Sequence, residues 1–478
     1  MRSPPDSKNM SDLNRKGPTV KAEAGLVPRL DAFLDRLRTR YGVAGFVGLM
    51  LVIQTLAARA DDQPAPGSGD EGADWSNHYQ LTYIEQGNPA FTSPYRGPNS
   101  LDPGTRTRET ISATAMWGYR LLPNTELYFN PEFNQGFGLS HTFGLAGFPN
   151  GDAQKAGADV PKLNIARLYI KQTIGLGGET EEVEDDLNQI AGRRDIARIT
   201  IWAGKLAVND IFDTNSYAHD SRNDFFNWAI WEGGAYDYAA DQKGYTDGVA
   251  IELNQKSWAV RLGDFLVPKF SNDRDLDTNF LKRGGYQAEF EQRYQLFDHD
   301  GKARVTLFAN RANMGSYAAA LQNPTIDITA SRTDRWKYGF VLGAEQGITD
   351  DLGAFARFSY NDGQSEIISF TDISRSASAG ISLKGTAWDR PTDTVGLAGA
   401  VNALSRVQAD YFKAGGLGIL IGDGKLTYGT EDIVEGYYRY QVSEPISLTF
   451  DGQFINNPAY NTDRGPVWIF AVRLHVQI

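Results

Sequence analysis

Hydrophobic and polar residues alternate along most of this chain from about residue 77 onward. Residues 446–451 (ISLTFD), for example, place three apolar side chains on one face of an extended strand and three polar side chains on the other. The alternation continues to the last residue, with apolar side chains at every second position from Trp468 to Ile478. We therefore predict strands near 77–86, 106–121, 125–135, 164–173, 199–208, 247–254, 258–267, 284–295, 302–312, 335–346, 352–362, 374–384, 394–402, 431–442, 446–456 and 467–478.

The connections between these strands alternate between short and long. An up-and-down barrel with turns on one rim and loops on the other produces this order, as outer-membrane barrels do. The sequence thus predicts an all-β fold, a transmembrane antiparallel up-and-down β-barrel of sixteen strands with long extracellular loops and short periplasmic turns. Residues 174–198 form a long connection where the alternation predicts a short one. Their acidic stretch EEVEDDLNQIAG is consistent with a helix.

The N-terminus carries an export signal. A basic stretch at 29–40 precedes an apolar run at 43–53, and Ala58-Arg59-Ala60 fits a cleavage site. We expect residues 1–60 to be a signal peptide with a long n-region for Sec-dependent export, although an uncleaved anchor helix remains an alternative. Residues 61–76 form a polar periplasmic linker, and the barrel domain spans 77–478.

Charge and composition exclude several functions. The net charge is −12, and removal of residues 1–60 leaves 37 basic and 54 acidic residues. A chain this acidic is a poor nucleic-acid binder, because phosphate contacts require positive charge. The absence of cysteine excludes disulfides, thiolate metal sites and cysteine nucleophiles, and only five histidines remain. We predict no metal site and no cofactor.

Several stretches are more specific than the alternation: NPAFTSPYRGPNSL (88–101), NTELYFNPEFNQGFGLSHTFGLAGFPNGDAQKAG (124–157), IWAGKLAVNDIFDTNSYAHDSRNDFFNWA (201–229), GAYDYAADQKGYTDG (234–248), RANMGSYAAA (311–320) and WDRPTDTVGLA (388–398). From about residue 77 to the C-terminus the chain resembles the carbohydrate-selective porins, or OprB family, of Gram-negative outer membranes. The resemblance implies a sixteen-stranded barrel that passes small neutral carbohydrates by diffusion through a loop-narrowed lumen. It also implies contact with outer-membrane lipid and lipopolysaccharide. The terminal Ile478 departs from the aromatic residue that commonly ends such barrels.

The longest loop, residues 209–246, is the predicted constriction, although an outward cap on the barrel rim is the alternative. A sugar needs hydrogen-bonding groups for its hydroxyls and an aromatic surface for its ring face. The loop combines both in His219, Asp220, Arg222, Asn223, Asp224, Phe226, Trp228, Tyr236, Asp237, Tyr238 and Asp241.

Charged residues that alternate with apolar ones on the strands are expected to face the lumen. A basic side chain facing mid-bilayer lipid costs roughly 2–4 kcal/mol, so the water-filled interior is the favoured side. The candidates are Glu132, Arg167, Lys171, Lys205, Arg261, Glu289, Arg304, Arg357 and Arg439. Each could equally form a salt bridge that stiffens the wall. Phe129 and Phe133 are expected to line or support the same region, and Arg473 to belong to the wall.

Three functions stay open at this point. A passive sugar porin is favoured, and we predict no enzymatic activity. A plugged or adhesive surface barrel is the first alternative. A barrel hydrolase that uses His219 is the second, although no serine is placed convincingly beside it in the sequence. The sequence does not distinguish a monomer from a trimer.

Overall fold

A closed barrel of sixteen antiparallel strands dominates the computed structural model, which describes residues 74–296 and 298–478. The predicted signal peptide and most of the predicted linker lie outside the described residues. The first nine strands are β1 (Trp75–Asn88), β2 (Arg106–Leu122), β3 (Thr125–Gly136), β4 (Ala158–Gly175), β5 (Thr180–Val183), β6 (Gly192–Asp195), β7 (Arg198–Leu206), β8 (Thr246–Asn254) and β9 (Trp258–Phe265). The others are β10 (Gly284–Leu296), β11 (His299–Met314), β12 (Thr333–Gly347), β13 (Leu352–Asn361), β14 (Arg375–Gly385), β15 (Arg390–Ala403), β16 (Glu431–Ser443), β17 (Ile446–Asn456) and β18 (Val467–Gln477).

All sixteen predicted strands are present, and every barrel strand pairs with its neighbours in the chain except where β5 and β6 intervene. The barrel closes between β1 and β18, where Gln80 is the partner of Gln477. The final residue takes part in this closure, because Ile478 exchanges backbone hydrogen bonds of 2.8 and 2.9 Å with Tyr79. No strand edge of the barrel is therefore left unpaired.

The alternation in the sequence corresponds to the two faces of the wall. On β18, the side chains of Trp468 and Phe470 are 51% and 54% exposed on the outer surface, whereas Arg473 is completely buried inside. The same exposure of large apolar side chains recurs around the barrel, for example at Leu262 and Leu307. This outer belt is the surface that a lipid bilayer requires.

One rim, which we call the turn rim, carries the chain ends of the barrel and the short turns, and the other carries eight longer loops. The loops are L1 (89–105), L2 (137–157), L3 (207–245), L4 (266–283), L5 (315–332), L6 (362–374), L7 (404–430) and L8 (457–466). Four short α-helices lie in the described loops: α1 (Gly151–Lys155) in L2, α2 (Trp228–Trp231) in L3, α3 (Tyr317–Ala320) in L5 and α4 (Arg406–Lys413) in L7. None of the helices in the described part of the chain is long and apolar enough to cross a bilayer.

The connection from β4 to β7 differs from the helix suggested by its acidic sequence. Strands β5 and β6 pair with each other as a two-stranded hairpin outside the barrel sheet, in the register Thr180↔Asp195 to Val183↔Gly192. Arg194 reinforces the pairing through a 2.8 Å contact with Glu181. Cross-strand pairs between opposite charges stabilise a hairpin, so the acidic residues find partners here that an isolated helix would not supply. The helix expectation was wrong.

The hydrophobic core of the molecule lies inside the barrel. Apolar side chains of L2, L3 and L6 pack there against inward-facing wall residues, as Phe148, Trp228 and Phe370 do among the loops. Tyr236 of L3 reaches Phe308 of β11, with ring centroids 5.3 Å apart. The lumen therefore contains folded loop structure.

Candidate functional site

L3 enters the lumen and crosses it, held by carboxylates of the wall. Glu289 on β10 accepts the backbone N–H of Asp213 at 2.7 Å, and Glu345 on β12 accepts that of Ser216 at 2.9 Å. Farther round the barrel, Glu435 on β16 accepts the N–H groups of Phe226 and Asn227. A buried backbone N–H group that loses its partner costs free energy, so these contacts fix the path of the loop backbone.

Two arginines of the wall also bind L3. Arg357 on β13 contacts the Asp213 carboxylate at 3.1 Å. Arg473 on β18 donates to the carbonyl oxygens of Ser221 and Asp224 at 2.8 and 3.0 Å, and its guanidinium lies 4.3 Å from the centre of the Phe226 ring. Arg473, assigned only to the wall from the sequence, is therefore also an anchor of the loop.

Arg222 lies at the centre of a buried hub that joins L3 to L2 and to β1–β3. Its guanidinium contacts the carboxylates of Glu132 at 2.9 Å and Asp152 at 3.0 Å. It also donates to Gln80 Oε1 at 2.9 Å. Tyr245, at the end of L3, donates to the same Glu132 at 2.9 Å. One guanidinium thus connects two loops and the wall.

L2 also folds inward and packs on L3. The Asn150 side chain caps helix α1 by accepting from Asp152 N and Ala153 N, which directs Asp152 toward the hub. Three strands beyond β1, on the side of the barrel closure, Glu431 on β16 accepts the N–H groups of Ala146 and Gly147. L2 is consequently suspended between distant strands, as L3 is.

The two loops leave an off-centre cavity of about 490 Å³ beside β1, β2, β4 and β7, which we call the passage. One group of its lining residues is aromatic: Phe148, Tyr169, Trp202, Trp228, Trp231, Tyr238 and Phe370. Another group is basic: Lys155, Arg167, Lys171, Arg194, Arg222 and Lys243. The acidic lining residues are Asp210 and Asp220. The charged residues of the lining are therefore mostly basic, although the chain as a whole is acidic.

Of the loop residues predicted from the sequence, five border the passage: His219, Asp220, Arg222, Trp228 and Tyr238. The others organise the loop around it. Asp224 accepts from His219 N and Asp220 N, and Asn223 donates to Asp220. Phe226 lies beneath Arg473, Tyr236 donates to Gln287, Asp237 accepts from L6, and Asp241 accepts from Lys243 N and Tyr245 N.

The predicted strand residues have several different roles. Arg167 and Lys171 border the passage, where they contact Asp210 and Glu126 at 2.5 and 3.0 Å. Arg261, Glu289 and Arg304 form ion pairs within the wall, with Arg261 2.6 Å from Glu289 and Arg304 2.9 Å from Glu291. Glu132 and Arg357 bind L3 as described. Arg439 donates to Thr394, and its Nε atom has no hydrogen-bond partner.

Three placements differ from the sequence-based prediction. Lys205 pairs across the sheet with Leu168, whose side chain is 44% exposed on the outer face, and its ammonium reaches Asp241 at 3.8 Å. The inward residue of this part of β7 is Trp202; the parity was therefore assigned the wrong way round. Phe133 is 47% exposed, and Phe129 packs on the exposed Trp117, so both phenylalanines face outward.

Among the described residues of L3, two buried polar atoms at the passage have no hydrogen-bond partner: Nδ1 of His219 and Nε1 of Trp231. Burial, with a further contribution from Arg357, lowers the pKa of His219, so its ring is neutral near pH 7. Unpaired buried polar atoms are rare in proteins because each costs free energy. Both atoms thus have hydrogen-bonding capacity that no protein group satisfies.

L6 packs against L3 and against L7 through two carboxyl groups with raised pKa values. Asp237 accepts from the backbone N–H groups of Ile368 and Ser369, and burial raises its pKa to about 6 in spite of nearby Lys337. Asp372 of L6 accepts from Leu420 N at 3.3 Å, and burial raises its pKa to about 7. Both carboxyls therefore bind a proton more tightly in the packed loops than in water.

We predict that the packing of L6 weakens as the pH rises. The ordinary pKa of Asp372 is 3.8, so the packed loop retains a proton that the opened loop loses between that value and about 7. The contribution of Asp372 to the stability of the packed L6 is therefore greatest below pH 3.8 and declines as the pH rises toward about 7. Amide hydrogen exchange in residues 366–374, corrected for intrinsic rates, should be faster at about pH 8 than at about pH 6. Asp372→Asn should remove most of this difference and leave the smaller part that Asp237 contributes through Ile368 and Ser369. Asp350→Asn, on a fully exposed side chain of the turn rim, should preserve it; equal protection at both pH values in the parent would contradict the prediction.

Several lining residues were not predicted from the sequence. Trp231 lies within the predicted loop but was not selected, and Phe148, Lys155 and Phe370 belong to L2 and L6. The signal for L2 was present in the Asn150 cap and the short helix after it. The connection from β4 to β7 also contributes to the lining, through Leu187, Asn188, Gln189 and Arg194. No pattern in the sequence identified these residues.

Comparison with known proteins supports the architecture. A profile of the carbohydrate-selective porin family OprB matches residues 99–478. The chain resembles a high-pH structure of Pseudomonas putida OprB with a TM-score of 0.64 and 14% identity, over 85% of this chain and 94% of that chain. It also resembles the outer membrane channel DcaP of Acinetobacter baumannii with a TM-score of 0.47 and 10% identity, over 87% and 100%. A search of curated proteins finds no match.

Proposed function

We propose, from the premise that this chain belongs to the OprB family of carbohydrate-selective porins, that sugars cross the barrel along the passage between L3 and the β1–β4 and β7 wall. As a member of this family, the chain is a sugar-conducting porin of the Gram-negative outer membrane. L3 and L2 together form the constriction in this proposal. The exposed apolar belt, including Trp468 and Phe470, contacts outer-membrane lipid and lipopolysaccharide.

The residues that line the passage are the main observation in support of this proposal. A sugar ring presents hydroxyl groups at its edge and C–H groups on its faces, so it favours hydrogen-bonding groups beside an aromatic surface. Trp231 and Tyr238 supply the aromatic surface, and Arg167 and Lys155 supply donors. Because those donors already have partners, such as Asp210 and Tyr245, each contact with a sugar stays weak. Weak contacts are what a channel requires, since a tight site would stop flux.

The family and the fold favour a channel over an enzyme. The hydrolase alternative requires a serine activated by His219. In the described residues, no hydrogen bond joins the His219 ring to a serine hydroxyl; its backbone N–H binds Asp224. We therefore propose that His219 contacts solute and has no catalytic role. Ester hydrolysis that is lost in His219→Ala would contradict this assignment.

Single-channel recordings with added sugar test the proposal. The parent channel should conduct ions and should be blocked in a graded manner by glucose or maltose. Trp231→Leu should raise the half-blocking concentration by roughly 2- to 10-fold, because one aromatic contact contributes about 0.5–1.5 kcal/mol and 1.4 kcal/mol corresponds to tenfold. The ion current should change little.

Trp388→Leu is the matched control, since Trp388 lies in the β14–β15 turn, outside the passage lining. This variant should retain the parental half-blocking concentration. A barrel that folds but carries no current would favour the plugged alternative. Equal sugar block in Trp231→Leu and the parent would show that the solute path does not follow this aromatic surface.

A further inference from the structure

The connection from β4 to β7, residues 176–197, contains the β5–β6 hairpin and is the longest connection on the turn rim. This rim faces the periplasm in outer-membrane barrels. The other connections on this rim, such as 123–124 and 444–445, contain two to four residues. Strands β4 and β7 are paired neighbours, from Leu168↔Lys205 to Gly175↔Arg198, so a short turn could join them. Long connections in compact domains usually have a function.

This connection turns back into the lumen. Ile190 at its inner end is only 3% exposed and belongs to the same core cluster as Tyr128 and Tyr169. Arg120 on β2 donates to the carbonyl oxygen of Ala191 at 3.1 Å. A Cβ atom added to Gly118 would lie 3.2 Å from Ile190, so the absence of a side chain there makes room for it. The hairpin is thus docked against the inner wall.

Polar contacts fix the rest of the connection. Arg198, at the start of β7, and Arg194 of β6 both contact Glu181, at 2.9 and 2.8 Å. Gln189 exchanges two backbone hydrogen bonds with Asp186, at 2.9 and 3.1 Å. The segment that carries Leu187, Asn188 and Gln189 is therefore held on both sides, and it forms one boundary of the passage.

Asn188 has the features of a residue positioned for a ligand. Its backbone is in the left-handed region, with φ of 56°. Its Oδ1 atom is buried and has no hydrogen-bond partner, although the side chain borders the passage. Lys171, Arg194 and Trp202 line the same cavity. An unpaired acceptor, two cationic donors and an aromatic side chain are the groups that hydroxyls and C–H faces require.

We propose that the 176–197 connection forms a second sugar-contact site at the periplasmic end of the passage, with Asn188 as a hydrogen-bonding residue and the hairpin as the limit on exit. The inference rests on the passage proposed above. The site discriminates among solutes as they leave, in addition to the selection at L3. The exposed acidic side of the hairpin, with Glu182 as an example, takes no part in it.

Two variants test this site in oriented planar bilayers. Asn188→Gly removes the side chain but tolerates the left-handed backbone. It should raise the half-blocking concentration of glucose added on the periplasmic side by roughly 2- to 10-fold, the ratio expected for one lost hydrogen bond. A variant in which a Gly-Asn-Gly turn replaces residues 178–194 should increase the ion conductance and remove the difference in block between the two sides. Heat-modifiable migration in detergent gels verifies that each barrel is folded.

Glu182→Gln is the control within the same hairpin, because Glu182 is exposed and its contact with Arg193 is 4.0 Å long. It should behave as the parent does. If sugar blocks the parent but Asn188→Gly and the shortened variant have parental block and conductance, the second site is wrong and the passage stands. If glucose and maltose fail to block the conducting parent from either side, the proposed sugar path is wrong, and the second site with it.

Discussion

Removal of most of L3 should convert the barrel into a wide, unselective pore. Residues 211–243 can be replaced by a four-residue glycine–serine linker, because the strands that flank the loop are paired from Leu206↔Thr246 to Arg198↔Asn254. The ends to be joined are therefore adjacent. We expect ion conductance to increase by a factor of several, and sugar block to disappear. Both follow because the aromatic residues of α2 and Tyr238 leave the lumen.

The same deletion should leave the barrel folded. Every strand keeps its two neighbours, and the hydrogen bonds between strands do not involve L3. The wall residues that hold the loop, such as Glu289, Arg357 and Glu435, lose their partners, but water enters the lumen and hydrates them. The cost of an unpaired charge is large only where water is excluded.

Single-channel conductance and sugar block in planar bilayers measure the outcome. Deletion of residues 278–281 from L4 is the matched control, because this exposed tip does not line the passage and includes Leu281, which is 85% exposed. The control should conduct as the parent does. A folded L3 deletion with parental conductance would mean that the loop does not occupy the conducting path.

The sequence predicts the wall of this protein well for a physical reason. A strand between lipid and a wetter interior has two chemically different faces, so its alternation survives in the sequence. Residues 446–451 of β17 show it clearly, and the observed strand, Ile446–Asn456, coincides with the predicted one. The pairing rules of an up-and-down barrel then fix the topology.

The alternation gives the wrong result where the interior is not polar. Trp202 faces the lumen because folded loops pack there, and the neighbouring Lys205 lies on the outer parity at the end of β7. Apolar residues thus occupy both faces of this strand. A rule that assigns charge to the inside and apolar side chains to the outside cannot determine the parity of such a segment.

The path of the loops depends on contacts that leave little trace in the sequence. Glu289, Glu345 and Glu435 bind backbone N–H groups of L3, and Glu431 binds those of L2. A backbone N–H group is present in almost every residue, so no side-chain pattern in the loop identifies its partner. The density of aromatic and charged residues marked L3 as important without indicating which side chains would border open space.

The β5–β6 hairpin shows why short strands are difficult to predict from the sequence. Each strand contains four residues, and its stability comes from long-range contacts such as those of Ile190 with the wall. Acidic residues at 181, 182, 184, 185 and 186 are compatible with either a helix or a hairpin. Tertiary contacts decide between these structures, since local propensity is a weak determinant.

Arg222→Met should destabilise the loop assembly more than any other single change at the passage. The substitution keeps an unbranched side chain but removes the guanidinium that joins Glu132 to Asp152. Both carboxylates are almost completely buried, at 0% and 2% exposure. Breaking a buried ion pair by removing one partner costs about 3–5 kcal/mol, because a charge is left without compensation.

We expect two measurable consequences of Arg222→Met. The temperature at which the folded band disappears in detergent gels should fall, and the current through single channels should become noisier as L2 and L3 separate. The L3 deletion, in contrast, should give a quiet, enlarged current, because it removes the loop completely. The two experiments thus distinguish a loop that is absent from one that is present but released.

A charge-matched variant separates the unpaired charges from the loss of packing. In the triple variant Arg222→Met, Glu132→Gln and Asp152→Asn, the guanidinium and both of its carboxylate partners become neutral groups, while nearby Lys155 keeps its hydrogen bond to Tyr245. The two introduced side-chain amides can still accept hydrogen bonds from Tyr245 and Ser112, which now donate to the Glu132 and Asp152 carboxylates. Neutralising a buried ion pair as a whole is often tolerated. The triple variant should therefore recover most of the thermal stability and the quiet current. If it is as unstable as Arg222→Met alone, the guanidinium acts through its shape and its hydrogen bond to Gln80, and the electrostatic account of the hub is wrong.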